Sequence, residues 1–401
     1  MKALQADTSG SISGDYRNSP RKAPTQCTGK TYLIIGGHGF LGSHVIEALL
    51  RRGETRIRVL DRVASSLFLP ESTDGRVAFF QGDIRDAAIL RQACRGVDTV
   101  FHTAAAINFW SDLPFEHDAI HAVNVRGTEQ VIRACLAEGV KQLLFTSSAS
   151  VVAPHDILQR PLVLADESAP YPNEPFLNHY IKTKGEAERL VRQAHGQGGL
   201  LTAAVRPGGL YGPRDPLLTP AIAAGLPGIG LKDNIIDHIY IENVVHAFLL
   251  LERHLVPRAP VGGQAYFVTN YEDPLPGCSS PDRSYFEFTS RFATALGRRF
   301  WLLPRPLLSM MAAGVQTAIK ATHGRITRHL GELGKMRPSC LTLARATYYF
   351  SHRKAAADFG YQPLYSVAEG IAITVEHLMR TQKEKNGSAV RISRETTKGV
   401  W

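Results

Sequence analysis

Seven residues, Gly36-Gly37-His38-Gly39-Phe40-Leu41-Gly42, join an apolar run, TYLIIGG, to an amphipathic one, FLGSHVIEALLRRG. Read as GxxGxxG, the glycines Gly36, Gly39 and Gly42 allow a tight turn, a close backbone approach and a close contact between helix and sheet. A strand that passes through such a turn into a helix leaves backbone N–H groups and the positive end of the helix at one point, which suits a pyrophosphate. Phe40 and Leu41 lie in the same turn and count with the glycines as cofactor contacts. A chain that starts this way is committed to a β-α-β unit, and therefore to parallel strands.

The pattern continues as RIRVLD, RVAFFQGDI, AAILRQACRG, DTVFHTAA, VNVRGTEQVIRACLAEG, KQLLFTSS and, after Leu200, LTAAVRP. Short runs of Val, Ile, Leu and Phe alternating with amphipathic segments predict an α/β fold, a Rossmann-type doubly wound parallel sheet with helices on both faces. A smaller C-terminal substrate domain follows. The expected divisions are a disordered tail at 1–29, a dinucleotide-binding and catalytic domain at 30–210, a mainly substrate-binding domain at 211–380 and a basic tail at 381–401. Residues 270–283 show no regular period. The segment 307–319 carries no charge and spans about 20 Å as a helix, too short to cross a bilayer. It reads either as a buried helix of the substrate domain or as a helix lying in a membrane interface beside Lys320, Arg325 and Arg328.

Charge is informative only by location. The net charge of the 401 residues is +10, but residues 1–30 hold five cations against two acids and residues 380–401 hold six against two, leaving +3 for the body. A nucleic-acid protein concentrates basic charge on its folded face, so no nucleic-acid partner is expected. Five scattered cysteines without a CxxC pair argue against a disulfide framework and against a zinc site. No metal is expected, and the polar N-terminus has no secretory signal. The expected location is the cytoplasm or the cytoplasmic face of a membrane, with peripheral membrane contact and a homodimer as partner expectations.

An acid stands where a dinucleotide site needs one. Asp61 ends the second apolar run, nineteen residues after Gly42, where a carboxylate accepts ribose hydroxyls and repels a 2′-phosphate. NAD is therefore favoured, and Arg62 keeps NADP open. Asp83 and Ile84, after the third run, read as a cover for the adenine edge or as a helix cap.

Downstream, Ser148 ends LLFTSS, and Tyr180 and Lys184 stand four apart, on one face of a helix. An ammonium beside a phenol favours the phenolate, so the tyrosine can serve as a general base. With these residues in place, the chain resembles the extended short-chain dehydrogenases/reductases, and within them the 3β-hydroxysteroid dehydrogenase family. The resemblance rests on GGHGFLG, RVLD, QGDI, DTVFHTAA, VNVRGTEQVI, FTSSASVV, YIKTKGEAE, RPGGLYGPRD, DHIYIENVVHAFLL, GQAYFVTN and YYFSHRKAAADFGYQPL, over roughly 31–380. It implies Tyr180 as acid/base, Lys184 as its electrostatic partner and Ser148 as the substrate-orienting hydroxyl. It further implies Asn124 in support of the site, Thr103, Ala104 and Ala105 along the cofactor cleft, and Pro207 near the nicotinamide. The implied reaction is oxidation of a sterol, steroid or triterpenoid 3β-alcohol, with loss of a neighbouring carboxylate where the substrate carries one.

Apolar residues Ile107, Phe109, Trp110, Phe176 and Leu177 read as lining for a greasy substrate, or as packing under a loop. A nucleotide-sugar epimerase or dehydratase would share the N-terminal motifs but needs basic groups for a diphosphate in the C-terminal part. A dinucleotide-binding regulator without catalysis is the third reading.

Overall fold

Tyr32–Ile35 (β1) is buried at all four positions, as a strand covered on both faces must be. The computed structural model describes residues 26–64, 68, 73–110, 112–271 and 284–396. After β1 come Ile57–Asp61 (β2), Val77–Gln81 (β3), Thr99–His102 (β4), Gln142–Thr146 (β5), Leu162–Ala165 (β6), Leu201–Pro207 (β7), Gly209–Tyr211 (β8), His238–Tyr240 (β9), Ala265–Val268 (β10) and Tyr348–Phe350 (β11). Seven of these form one sheet in the order β10-β7-β5-β4-β1-β2-β3. All its pairings are parallel. The strand order reverses between β1 and β4, which opens a crevice at their carboxyl ends.

The helices up to the last sheet crossover are Phe40–Arg51 (α1), Ala87–Cys94 (α2), Pro114–His121 (α3), Thr128–Ala137 (α4), His179–Gln193 (α5), Leu218–Ala223 (α6) and Ile241–His254 (α7). Then follow Tyr285–Ala295 (α8), Arg305–Ala321 (α9), Thr327–Leu330 (α10), Pro338–Arg345 (α11), Arg353–Phe359 (α12) and Val367–Thr396 (α13). The period-two alternation of the strands sorts their side chains into two cores. Ile34, Val59, Phe101, Leu144 and Val205 pack with α1 and α7. Leu33, Ile35, Leu60, Val100, Leu143 and Phe145 pack with α2, α4 and α5 on the other face.

The C-terminal part is less separate than its sequence suggested. β10 and α7 fall inside 211–380 yet complete the main sheet and its cover, because AYFV is buried throughout and finds cover only beside β7. Phe288 and Phe292 of α8 and Ile371 and Val375 of α13 join the same core. Both expected tails also end differently. Thr28 donates its N–H and hydroxyl to Glu54 (2.9 and 3.0 Å), and α13 runs on to Thr396. A stripe of Val367, Ile371 and Val375 anchors that helix, and extending an existing helix costs far less than nucleating one. Most of 270–283 and the first 25 residues lie outside the described residues.

Helix α9 buries Leu308, Ala312 and Ile319 and leaves Leu307 and Met310 exposed, so of its two readings the buried helix holds for one side only. No helix among the described residues is long and apolar enough to cross a membrane. The thiols of Cys27, Cys94, Cys135 and Cys340 are free.

One ion pair sets the seat of α5. Glu188, wholly buried, takes a two-pronged contact from Arg206 of β7, at 2.9 Å from Nε and 2.6 Å from Nη2. Removing one partner of a buried pair strands a charge, so Arg206→Met should cost about 3–5 kcal/mol of unfolding free energy. The double substitution Arg206→Met with Glu188→Leu should cost clearly less. Urea unfolding of both variants measures the difference.

Candidate active site

The glycine turn is as tight as its sequence demanded. Gly36 has φ +81°, and a Cβ there would lie 2.7 Å from the Ala104 nitrogen; at Gly42 it would lie 2.2 Å from the Gly36 carbonyl oxygen. Thr103, at the end of β4, holds the turn from beside, its hydroxyl donating to the carbonyls of Ile35 (2.9 Å) and Gly36 (3.2 Å). Gly39 caps α1 without a side chain, and no acid stands in the first helical turn. The positive end of α1 therefore faces the crevice with Phe40 and Leu41 beside it.

Asp61 accepts the N–H groups of His38 (3.1 Å) and Arg62 (2.7 Å). Each carboxylate oxygen has two lone pairs, so the group is held in place while keeping capacity for hydroxyl donors. Turn, helix end and carboxylate together fit a dinucleotide with an unphosphorylated adenosine ribose. Asp83 lines the dinucleotide end of the cavity, and of its two expected roles the helix cap does not hold. Its carboxylate is gripped by the Arg85 guanidinium at 2.8 and 2.7 Å, which with Arg62 holds it below the usual carboxylate range, and the cap of α2 is Asp86. Ile84 is mostly buried and packs against Gly127, while still contributing to the cavity wall.

Helix α5 brings in Tyr180 and Lys184. Asn178 caps it by accepting from the Ile181 N–H (2.9 Å), and both residues face one cavity together with Ser148, Ala105 and Pro207. Burial drives the Tyr180 phenol well above its ordinary range, and its hydrogen bond with the Ser148 hydroxyl opposes that. Burial also pushes the Lys184 ammonium down to about 7, against the pull of Glu188 one turn on. Lys184 Nζ donates to the Thr146 carbonyl (2.5 Å) and lies 4.3 Å from the centre of the Phe145 ring. Below it His102, down to about 3 through burial and the nearby Lys184, meets the Thr128 hydroxyl at 3.0 Å.

Asn124 sits in a wide π-helical turn, Ala122–Gly127, between α3 and α4. Its amide accepts from the Ala106 N–H (2.8 Å) and donates to the Ala106 carbonyl (3.2 Å) and the Thr183 hydroxyl (3.1 Å). It thus fastens the loop after β4 to α5, and π-turns of this kind recur at functional sites. Two further residues join the arrangement. Asn178 Nδ2 and Ser339 Oγ both donate to the Phe109 carbonyl (3.3 and 2.9 Å), which sets the Phe109 ring 4.5 Å from that of Tyr180. An Asn before a helical run is a readable capping signal; Ser339, 230 residues from its partner, has none.

The cavity measures about 1680 Å³ and runs from the glycine turn to α11. Its far wall is apolar, with Leu217, Ile222, Ile229, Phe300, Leu303 and Leu343 among its residues. Ile107, Phe109 and Trp110 line it, but Phe176 and Leu177 do not. Phe176 bridges to Pro154, and Leu177 packs behind Tyr180.

Since folded Lys184 holds its proton less tightly than an unfolded lysine, stability should climb as the pH rises from about 7 toward the ordinary lysine range. Lys184→Met should therefore melt at a higher temperature than the native protein at pH 6, with the gap closing by pH 9. Thermal melts across that range give the answer.

Comparison with known proteins agrees with this geometry. Residues 33–303 match the model of the 3-beta hydroxysteroid dehydrogenase/isomerase family. The chain is 33% identical to a mouse (Mus musculus) sterol-4-alpha-carboxylate 3-dehydrogenase, decarboxylating, over 94% of this chain and 97% of that one. It is 32% identical to 3beta-hydroxysteroid-dehydrogenase/decarboxylase isoform 2 of Arabidopsis thaliana, over 90% of this chain but only 65% of the plant protein. The backbone is similar to that of UDP-glucose 4-epimerase from Thermus thermophilus in complex with NAD, with a TM-score of 0.60, 24% identity and coverage of 86% and 98% of the two chains. With a family match that spans the glycine turn, Tyr180, Lys184 and much of the apolar wall, the chain belongs to the 3-beta hydroxysteroid dehydrogenase/isomerase family.

Proposed function

We propose that the protein oxidises the 3β-hydroxyl of a sterol, steroid or triterpenoid to the 3-ketone with NAD, and that a substrate with a carboxylate on C4 loses it as carbon dioxide. The observation that carries this is the meeting of Ser148, Tyr180 and Lys184 in one cavity with a dinucleotide cradle at one end and an apolar wall at the other. NAD, held at the glycine turn and Asp61, would supply the acceptor for the hydride of C3. The protein's part is position and proton. Ser148 holds the substrate oxygen, and Tyr180, as phenolate, takes the hydroxyl proton while Lys184 stabilises its negative charge. With a C4 carboxylate the product is a β-keto acid. Its ketone draws in the electron pair of the breaking C4–carboxylate bond, carbon dioxide leaves, and C4 then takes up a proton.

The names of the mouse and Arabidopsis relatives pair dehydrogenation with decarboxylation, which supports the second half. The nucleotide-sugar reading fares worse, because a diphosphate needs several cations and the wall beyond Pro207 offers one, Lys335, among the described residues. Tyr180→Phe should lower turnover of NAD with a 3β-hydroxysterol by about 10²–10⁴-fold while leaving NAD affinity near that of the native protein. Because burial raises the phenol and brings Lys184 down to about 7, oxidation should depend on pH between 6 and 9, gaining as the phenol ionises and losing as the lysine sheds its charge. Absorbance of reduced cofactor, with carbon dioxide captured from a 4α-carboxysterol, tests both halves; a flat pH profile or full activity of the variant would remove Tyr180 as the base.

We further propose that the mouth of the cavity rests on a membrane surface. Leu226, Leu333 and Ile107 line the cavity and are exposed. Trp301 at 52%, Leu307 at 44% and Met310 at 72% exposure follow or flank in sequence the lining residues Phe300, Leu303 and Met311. Exposed Arg298, Arg299, Arg305, Lys320 and Arg325 lie on the same stretch of chain, in keeping with anionic headgroups. The protein should float with vesicles containing anionic lipid, and Leu307→Asp with Met310→Asp should remain at the bottom of the gradient.

A further inference from the structure

Behind the cavity, the dinucleotide cradle and the apolar wall are joined through a side chain that the chemistry does not use. His44 lies in α1, one turn after Phe40, and is 2% exposed. Its Nδ1 is 2.9 Å from Glu242 Oε1, in the first turn of α7, and its Nε2 is 3.0 Å from the Pro213 carbonyl, in the loop after β8. Burial would raise the Glu242 carboxyl, but the hydrogen bond with His44, aided by Arg51 and Arg214, holds it below the usual carboxylate range. Glu242 is thus a carboxylate, and a carboxylate and a carbonyl both only accept hydrogen bonds. The ring fills both contacts only with a proton on each nitrogen, as an imidazolium. The charged groups around it are Glu47 and Arg51 of its own helix, Glu242 of α7 and Arg214 of the loop.

The loop held in this way leads directly into the substrate end. Arg214, next to Pro213, has φ +69°, a left-handed backbone that a non-glycine residue keeps only where its surroundings hold it. A second contact with α1 supplies part of that hold: Arg214 Nη2 pairs with Glu47 Oε1 at 2.9 Å and reaches the Ser43 hydroxyl at 3.4 Å. Asp215, Pro216, Leu217 and Leu218 then line the cavity, and Asp215 starts α6 by accepting the N–H groups of Leu217 (2.7 Å) and Thr219 (2.8 Å). Phe40 and Leu41, at the start of α1, line the dinucleotide end. One helix therefore meets the pyrophosphate position with its N-terminus and the root of the apolar wall with its second turn.

We propose that His44 is a positioning residue that carries dinucleotide occupancy to the sterol wall: it fastens the loop at 212–217 to α1, so that a pyrophosphate seated on α1 and a sterol against Leu217 and Leu218 strengthen each other's binding. The first turn of α1 is restrained when a pyrophosphate sits on it. Through His44 and Arg214 the restraint passes to the loop. A sterol then meets a wall already ordered, and the freedom lost on ordering it is not lost a second time. The inference rests on the 3β-hydroxysterol reading given above.

The test uses NAD with a 3-ketosteroid, the oxidised product with the oxidised cofactor, so that both bind and nothing turns over. Fluorescence titration gives the steroid Kd with and without NAD, and the NAD Kd with and without steroid. In the native protein each should tighten the other by about fivefold or more, and by the same factor in both directions. His44→Leu should bring that factor towards one and leave NAD affinity in the absence of steroid near that of the native protein. His44→Gln, whose amide N–H groups can still donate, should keep part of the factor. In turnover of a 3β-hydroxysterol, His44→Leu should raise the sterol KM and leave kcat near its native value. Arg214→Gln, at the partly exposed end of the same connection, should lower the factor in part. A native protein without mutual tightening, a folded His44→Leu that keeps the native factor, or a loss of steroid affinity equal with and without NAD would overturn the role. Where His44→Leu does not fold, an Arg214→Gln that keeps the native factor overturns it. If no steroid binds under any condition while NAD still does, the 3β-hydroxysterol reading falls and the inference falls with it, a result distinct from binding without mutual tightening.

Discussion

Helix α5 has to lie at one depth and one rotation against the sheet, and two buried contacts set both. Lys184 reaches down to the Thr146 carbonyl at the end of β5, and one turn later Glu188 is locked to Arg206 on β7. A helix held to two neighbouring strands at successive turns can neither slide nor roll, so the phenol of Tyr180, one turn earlier, points where β5 and β7 end. The same contacts keep a lysine in a setting that strips its water. An amine held at that depth needs a rigid surround, and the Glu188–Arg206 pair provides part of it.

The cavity joins two unlike solvents. At one end it offers backbone N–H groups, a carboxylate and arginines; at the other it offers aliphatic and aromatic side chains. Ser148, Tyr180 and Lys184 stand at the border between them. A ligand with a polar nucleotide and a ligand with a flat hydrocarbon body can thus meet only at that border, and selectivity for the reaction follows from where each finds a compatible wall.

Much of this was legible in the residues. The glycine turn, Asp61 and the spacing of Tyr180 and Lys184 are local patterns, and local patterns survive into structure because each depends on backbone geometry within a few residues. All the strands read from the apolar runs up to β7 are present. What escaped was long-range. Ser339 is joined to Phe109 across 230 residues, and β10 belongs to a sheet that its own four residues could not announce. Helix α9 shows the same limit, since its apolar content alone did not say which side would be covered.

The position of β10 bears on how the protein comes to be made. β7 is complete at Pro207, but the strand that covers its outer edge ends at Val268. Until the ribosome has released that later stretch, a seven-residue strand destined for burial stands with its hydrogen-bonding groups bare along one edge, and such an edge invites pairing with another chain. A shortened message, or a pause between these two strands, would therefore yield an aggregating species rather than a smaller working enzyme, and cells that need the protein have reason to translate this interval quickly or to shield it with a chaperone.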